Sequence, residues 1–295
     1  MYRQHFHLHC LPFGLTPDTA FYVDLPQHQA ALNVLKTALL TGEGFIKVTG
    51  EVGTGKTLLC RKLLQEADAD WQIAWLPDPY LTPLELRWAL AAELGMKYSG
   101  NIDSPQLLQL LQRQLVALAA QGKRAILIID EAQALPDETL EALRLLTNLE
   151  TEQRKLLQVV LLGQPELNKR LATYRFRQLR QRISFSYPLT AMNRQQVNAY
   201  LAARGYIAGS AVALFSLPAT VAIARYSRGI PRLVNILAHK GLMLAFGEGK
   251  TQVSWRHIRH AAFDTDDVSI RPLRYYLLGG SITLLALTCY GAALL

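Results

Sequence analysis

The chain has 295 residues, is 50% hydrophobic and 18% charged, and carries a formal net charge of +8; this excludes a disordered chain and allows one large or two ordinary domains with a substantial core. Cys10, Cys60 and Cys289 are odd in number, far apart and without a C-x-x-C pair, which argues against a disulfide framework or a zinc site and fits a reducing compartment. The first 30 residues lack the apolar run of a secretory signal, and the basic excess admits nucleic acid or an anionic membrane surface as partner.

The opening segment, from His5-Phe6-His7-Leu8 through Pro12-Phe13 to Thr16-Pro17-Asp18, is rich in turn formers and aromatics and reads as an ordered loop laid over a domain. His5, His7 and His9 with Cys10 do not form a closed tetrahedral ligand set, because alternate residues of a strand point the same way. Leu32, Leu35, Leu39 and Leu40 have helical spacing and end at Gly42-Glu43-Gly44. The apolar run Phe45 to Thr49 then predicts a strand, and directly after it comes Gly50-Glu51-Val52-Gly53-Thr54-Gly55-Lys56-Thr57, a complete G-x-x-x-x-G-K-T loop.

In such a loop the glycines let backbone N–H groups point inward at phosphate oxygens, and a helix starts with its positive end facing the same anion. The expected nucleotide-binding residues are Gly50, Glu51, Val52, Gly53, Thr54, Gly55, Lys56, Thr57 and Leu58. Lys56 is expected to reach the β- and γ-phosphates of ATP, and the Thr57 hydroxyl to ligate Mg²⁺. Trp71 to Leu76 reads as a second strand, followed by helices from Thr82-Pro83 to Leu94 and from Ser104-Pro105 to about Ala120.

Ala125 to Ile129 is an apolar run suited to a central parallel strand, and it ends in Asp130-Glu131. This is the pattern of a Walker B strand, in which Asp130 holds the Mg²⁺ shell and Glu131 orients and deprotonates the attacking water. A helix from Pro136 to Glu150 and a strand from Leu156 to Gly163 follow. Gln164 at that strand's tip is a candidate for sensing the γ-phosphate and the water; the alternative is a capping glutamine. Arg175, Arg177, Arg180 and Arg182 fall within eight residues. Their planar, permanently charged groups match phosphate geometry and suit nucleic acid, an acidic partner, or a neighbouring subunit's ATP as an arginine finger.

Beyond Pro188 helices are predicted over Asn193–Arg204, Ser210–Leu217, Pro218–Ser227, from Gly229-Ile230-Pro231-Arg232 through Phe246, and from the cap Ser254 through Phe263. The predicted organisation is thus an α/β nucleotide-binding domain over 1–190, a helical lid over 191–265 and a linker over 266–276. Residues 277–295 carry no charge and as a helix would span about 28 Å, close to the thickness of bilayer hydrocarbon. Arg271 and Arg274 precede this stretch, which predicts a single C-terminal transmembrane helix with the preceding bulk in the cytoplasm.

The set of motifs resembles an AAA+ ATPase: an α/β P-loop NTPase parallel sheet with a C-terminal all-helical lid. More narrowly, the opening His5-Phe6 with Pro12-Phe13 and Thr16-Pro17-Asp18, the phosphate loop, Asp130-Glu131-Ala132-Gln133, Gly163-Gln164-Pro165-Glu166-Leu167 and Leu179-Arg180-Gln181-Arg182-Ile183 resemble the ExeA/GspA secretion ATPases, with similarity to proteins of MSHA type IV pilus biogenesis. The resemblance covers roughly residues 1 to 265.

It implies that Arg232, in Gly229-Ile230-Pro231-Arg232, reaches from the lid to the γ-phosphate as a second sensor. It also implies arginine fingers near Arg180, with Arg177 and Arg182 as the other candidates, acting in trans in a ring-like homo-oligomer. The implied partners are pilus or secretion assembly proteins and the inner membrane. Gln164 departs from the Asn or Thr common at the first sensor of AAA+ proteins, and the chain carries no region matching the periplasmic part of ExeA-like members, so peptidoglycan binding is not carried over.

The expected function is therefore that of a membrane-tethered ATP hydrolase working on a pilus or secretion machine. A DNA-acting ATPase of the transposition or replication type is the alternative; no second motor-like α/β half follows residue 190, and nucleic acid is not the favoured partner. A nucleotide-gated scaffold with little turnover is the third reading, against which the presence of both Lys56 and Glu131 speaks.

Overall fold

The computed structural model describes residues 2–97, 103–150 and 155–268. Its centre is a five-stranded parallel sheet of order β2-β3-β4-β1-β5, with β1 at Phe45–Gly50, β2 at Trp71–Leu76, β3 at Arg124–Ile129, β4 at Leu157–Gly163 and β5 at Ile183–Leu189. Ile46 pairs with Val160 and Ile126 with Gln158, so β1, β4 and β3 run side by side with their carboxyl ends together.

Alternation along the strands decides which face each side chain serves. Ala125, Leu127 and Ile129 of β3, with Leu157, Val159 and Leu161 of β4, build one core layer. Ile126 and Ile128, with Val160 and Leu162, build the other. Both layers are dry because helices cover both faces, which is why β3 and β4 read as continuous apolar runs. Each fully buried Leu or Ile there contributes about 1.5–3 kcal/mol of transfer free energy. The one polar intruder, Gln158, is satisfied: its amide donates to the carbonyls of Leu39 and Glu43 at 3.1 and 3.0 Å.

A short turn, α1 (Tyr2–His5), opens the chain, and α2 (Pro26–Thr41) and α3 (Lys56–Gln65) cover one face of the sheet. On the other face lie α4 (Pro83–Glu93), α5 (Ser104–Ala120), α6 (Asp137–Leu146), α7 (Pro165–Leu171) and α8 (Arg177–Arg182). Capping boxes start α4 at Thr82/Glu85 and α5 at Asp103/Gln106, each satisfying backbone donors that a bare helix end leaves open. Beyond the sheet come α9 (Arg194–Ile207), α10 (Leu217–Ser227), α11 (Pro231–Gly247) and α12 (Trp255–Phe263).

These last four helices share a core of their own around Val197, Leu201, Ile223, Val234, Leu237, Leu242 and Ile258. Two expectations change here. The stretch 210–216 is not a helix: Phe215 forms a parallel bridge with Val253, and the chain enters α10 only after Ser216, whose hydroxyl accepts the N–H of Ala219. Burial of Leu214 and Phe215 in the helical core outweighs their helical propensity.

The opening segment, expected within the α/β part, instead buries Tyr2, Phe6, Leu8, Phe13 and Leu25 in that same helical core. Its backbone is pinned by His9 N–H to the carbonyl of Ala208, and Arg204 donates to the carbonyl of Pro12 at 2.6 Å. The expected membrane-spanning stretch 277–295 lies outside the described residues, as does most of the 266–276 linker. Among the described residues no helix is long and apolar enough to cross a membrane.

Candidate functional site

Three adjacent strands deliver the site from their carboxyl ends: β1 leads into the Gly50–Thr57 loop, β3 into Asp130-Glu131, and β4 into Gln164. This is the crevice where open α/β sheets place ligands. The loop's turn needs glycine, since Gly53 and Gly55 have φ of +81° and +98°, a left-handed region that costs an L-residue about 1–2 kcal/mol. Thr54 braces the turn by donating its hydroxyl to the carbonyl of Glu51 at 2.8 Å. Glu51 and Val52 are exposed at the tip, while Leu58 sits half-buried in the first turn of α3.

Lys56 is only 4% exposed, and its ammonium donates to the carbonyls of Gly50 and Glu51 at 2.8 and 3.2 Å. Burial pushes its pKa down, against the upward pull of Glu131, Asp130, Glu51 and Glu166. The Thr57 hydroxyl donates to Asp130 Oδ2 at 2.6 Å, so the two expected metal ligands meet across 73 residues of sequence. Asp130 is buried, and its other oxygen accepts the N–H of Glu131 at 2.9 Å.

Glu131 adopts a left-handed backbone, φ 50°, which a non-glycine residue rarely takes. Its Oε2 accepts hydrogen bonds from Gln133 Nε2 at 2.6 Å and Gln164 Nε2 at 3.0 Å. Burial would raise the Glu131 carboxyl, but those two amides and the nearby Lys56 charge outweigh it and hold the pKa below the ordinary glutamate value. Gln164 is thus a partner of Glu131 and does not act as a cap: it precedes α7 without a side-chain capping bond.

The helical part beyond β5 contacts the same loop. Gly229 turns with φ +75°, where any Cβ would meet the carbonyl oxygen of Met192, and the Arg232 N–H donates to the carbonyl of Gly53 at 3.2 Å. A Cβ on Gly53 would come within 2.6 Å of Arg232 Cβ. Arg232 is therefore beside the loop, with its guanidinium exposed.

The arginine segment divides. Arg182 donates to the carbonyl of Arg144 at 2.8 Å and to Thr147 Oγ1 at 3.3 Å, tying α8 to the end of α6. Arg175 pairs with Asp137 at 2.7 Å. Arg177 and Arg180 are exposed, Arg180 making, among the described residues, a 3.5 Å contact to the carbonyl of Ala172.

Two participants were not singled out from the sequence as site residues. His28, buried in α2, contacts the carbonyl of Thr54 through Nε2 at 2.8 Å, and burial pushes its pKa down. Gln133, named only within a motif, holds Glu131. A lone histidine in an amphipathic helix and a glutamine after two carboxylates carry no signal until the fold brings them to the loop.

The residues fit a magnesium nucleotide. Lys56, two left-handed glycines and a helix N-terminus form an anion cradle, and Thr57 with Asp130 supplies the hard oxygen donors Mg²⁺ prefers. Beside the cradle Tyr22 Oη, Gln27 Nε2 and His28 Nδ1 are buried without a hydrogen-bond partner among the described residues.

The parallel sheet and the Gly50–Thr57 loop have the P-loop NTPase fold. Residues 39–171 match the family described as AAA domain. Over 268 residues the chain is 40% identical to the General secretion pathway protein A of Aeromonas hydrophila, covering 91% of this chain and 49% of that protein. It is 33% identical over 130 residues to the ATP-dependent target DNA activator B of Escherichia phage Mu, covering 44% of this chain and 39% of that one. The chain thus spans about half the length, or less, of these curated relatives. In fold it is similar to Cdc6p from Pyrobaculum aerophilum, with a TM-score of 0.66 and 19% identity over 89% of this chain and 74% of the other.

Proposed function

We propose that the chain is an ATP hydrolase whose nucleotide cycle drives assembly of a secretion machine or an MSHA-like type IV pilus. The observation that carries the hydrolase reading is the Glu131 carboxylate, held by the Gln133 and Gln164 amides beside the Thr57–Asp130 pair. Lys56 and the loop N–H groups bind the phosphates, Arg232 faces them from the lid, and Glu131 takes the proton of the attacking water. Thr57 and Asp130 would hold Mg²⁺, which would supply charge neutralisation for phosphoryl transfer.

Arg177 or Arg180 completes a neighbour's site in a homo-oligomeric ring, since both are exposed and neither has an acidic partner among the described residues. Similarity to the General secretion pathway protein A supports the secretion pathway. The charge-free stretch 277–295 supports an anchor in the inner membrane with the ATPase part cytoplasmic. Similarity to the phage DNA activator favours a second reading, a DNA-acting ATPase; salt-dependent DNA binding would bring it forward.

The test compares steady-state ATP hydrolysis of the detergent-solubilised chain with its Glu131→Gln variant. Loss of turnover by about 10²-fold or more with ATP binding retained is the expected result. Equal, negligible rates in both proteins would overturn the hydrolase reading and leave a nucleotide-gated scaffold.

A further inference from the structure

The 3₁₀ turn Ala132–Ala134 directly follows Glu131 and folds the Gln133 side chain back across the tips of β3 and β4. Its amide uses both ends. Nε2 donates to Glu131 Oε2 at 2.6 Å, and Oε1 accepts the backbone N–H of Gln164 at 2.9 Å. The Gln164 amide then donates to the same Glu131 Oε2 at 3.0 Å, closing a three-residue ring. Behind it the Gln133 carbonyl accepts Arg170 Nη1 at 2.5 Å, and Arg170 is itself paired with Asp137.

Glu131 Oε2 is therefore doubly occupied, while its Oε1 has no hydrogen-bond partner among the described residues. Because the two oxygens of a carboxylate are equivalent, what the two donors fix is the plane of the group and the direction of the oxygen left free. A neutral amide of this length supplies a donor and an acceptor together. A glutamate would keep the acceptor for Gln164 and set a second negative charge against Oε2.

We infer that Gln133 is a positioning residue for hydrolysis, which locks Glu131 so that Oε1 is the oxygen presented to water and couples that lock to the β4 tip through Gln164. This rests on the hydrolase reading above. A misplacement of about 1 Å at a reacting group costs roughly 10²-fold in rate, which sets the size of the effect.

The experiment measures kcat, KM and the affinity for a fluorescent ATP analogue in the full chain carrying Gln133→Met or Gln133→Glu. Gln133→Met removes both hydrogen bonds; Gln133→Glu removes only the donation to Glu131. The expected result is a kcat lowered about 10²-fold in both, with KM and analogue affinity within about twofold of the parent. Gln133→Glu is the discriminating variant and stands on its own if Gln133→Met fails to fold. Near-parental turnover in Gln133→Glu would overturn the inference and reduce Gln133 to a brace for the β4 tip, as would a loss of affinity that matches the loss of kcat. A parent chain no faster than its Glu131→Gln variant would overturn the hydrolase reading instead.

Discussion

The phosphate loop and the arginine segment both carry groups whose chemistry suits phosphate, and they differ in how far one chain completes them. Around the loop almost every group has its partner in the same chain: Lys56 on loop carbonyls, Thr57 on Asp130, Glu131 on two amides, His28 on Thr54. In the segment 175–182, Arg182 and Arg175 are spent on their own subunit, while Arg177 and Arg180 are left exposed. The first region is preorganised, so little is lost in ordering it when ligand arrives. The second gains its electrostatic value only when another molecule supplies the charge.

The largest effect that sharpens this contrast is expected in the segment. Replacing Arg180 or Arg177 by Ala should lower turnover by about 10³-fold at whichever position is the finger, with ATP affinity nearly unchanged in equilibrium binding. Mixing that variant with Glu131→Gln should restore part of the activity, because each contributes what the other lacks; no recovery would break the in-trans assignment. Arg182→Ala should behave differently. It loses hydrogen bonds to Arg144 and Thr147, so the expectation is about 1 kcal/mol of stability read by thermal melting, with kcat close to the parent.

A smaller effect is expected at the loop–lid contact. Gly53→Ala places a Cβ into Arg232 and forces a side chain into a left-handed conformation. A strain of about 1–2 kcal/mol should weaken ATP binding by roughly 5- to 30-fold in a titration. Unchanged affinity would mean that the lid contact is not part of the binding-competent state.

The smallest effect is a pH dependence. Burial lowers the pKa of His28, so the folded chain takes up that proton less readily than the unfolded chain does. Stability from neutral His28 is then full above the unfolded pKa of about 6.5 and falls as pH drops below it. Tyr22, the Thr54 carbonyl and the Lys62 ammonium lying over the Tyr22 ring are the groups around it. His28→Asn should flatten the loss of melting temperature between about pH 6.5 and 5, leaving the slope due to His239, whose pKa burial also lowers.

The strands were readable because their covering is symmetric: a β-run dry on both faces, such as Ile126 to Ile129, has no other stable place in water. The loop was readable because its chemistry admits few substitutes at Gly53, Gly55, Lys56 and Thr57. The stretch 210–217 misled because its propensity is local, whereas the Phe215–Val253 bridge joins residues nearly forty positions apart. The opening segment misled for the same reason, since nothing local says which core will bury Phe6 and Phe13.

By itself the sequence determined the sheet-forming runs, the phosphate loop and the two carboxylates after β3, all set by short-range pattern and by residue types that one chemistry demands. Only the tertiary structure decided that Gln133 and Gln164 share one oxygen of Glu131, that His28 supports the loop, that Arg182 is held within its own subunit and that the first residues belong to the helical core. These depend on close contacts between distant segments, and hydrogen bonds of 2.6–3.0 Å are fixed by packing, which no periodicity along the chain encodes.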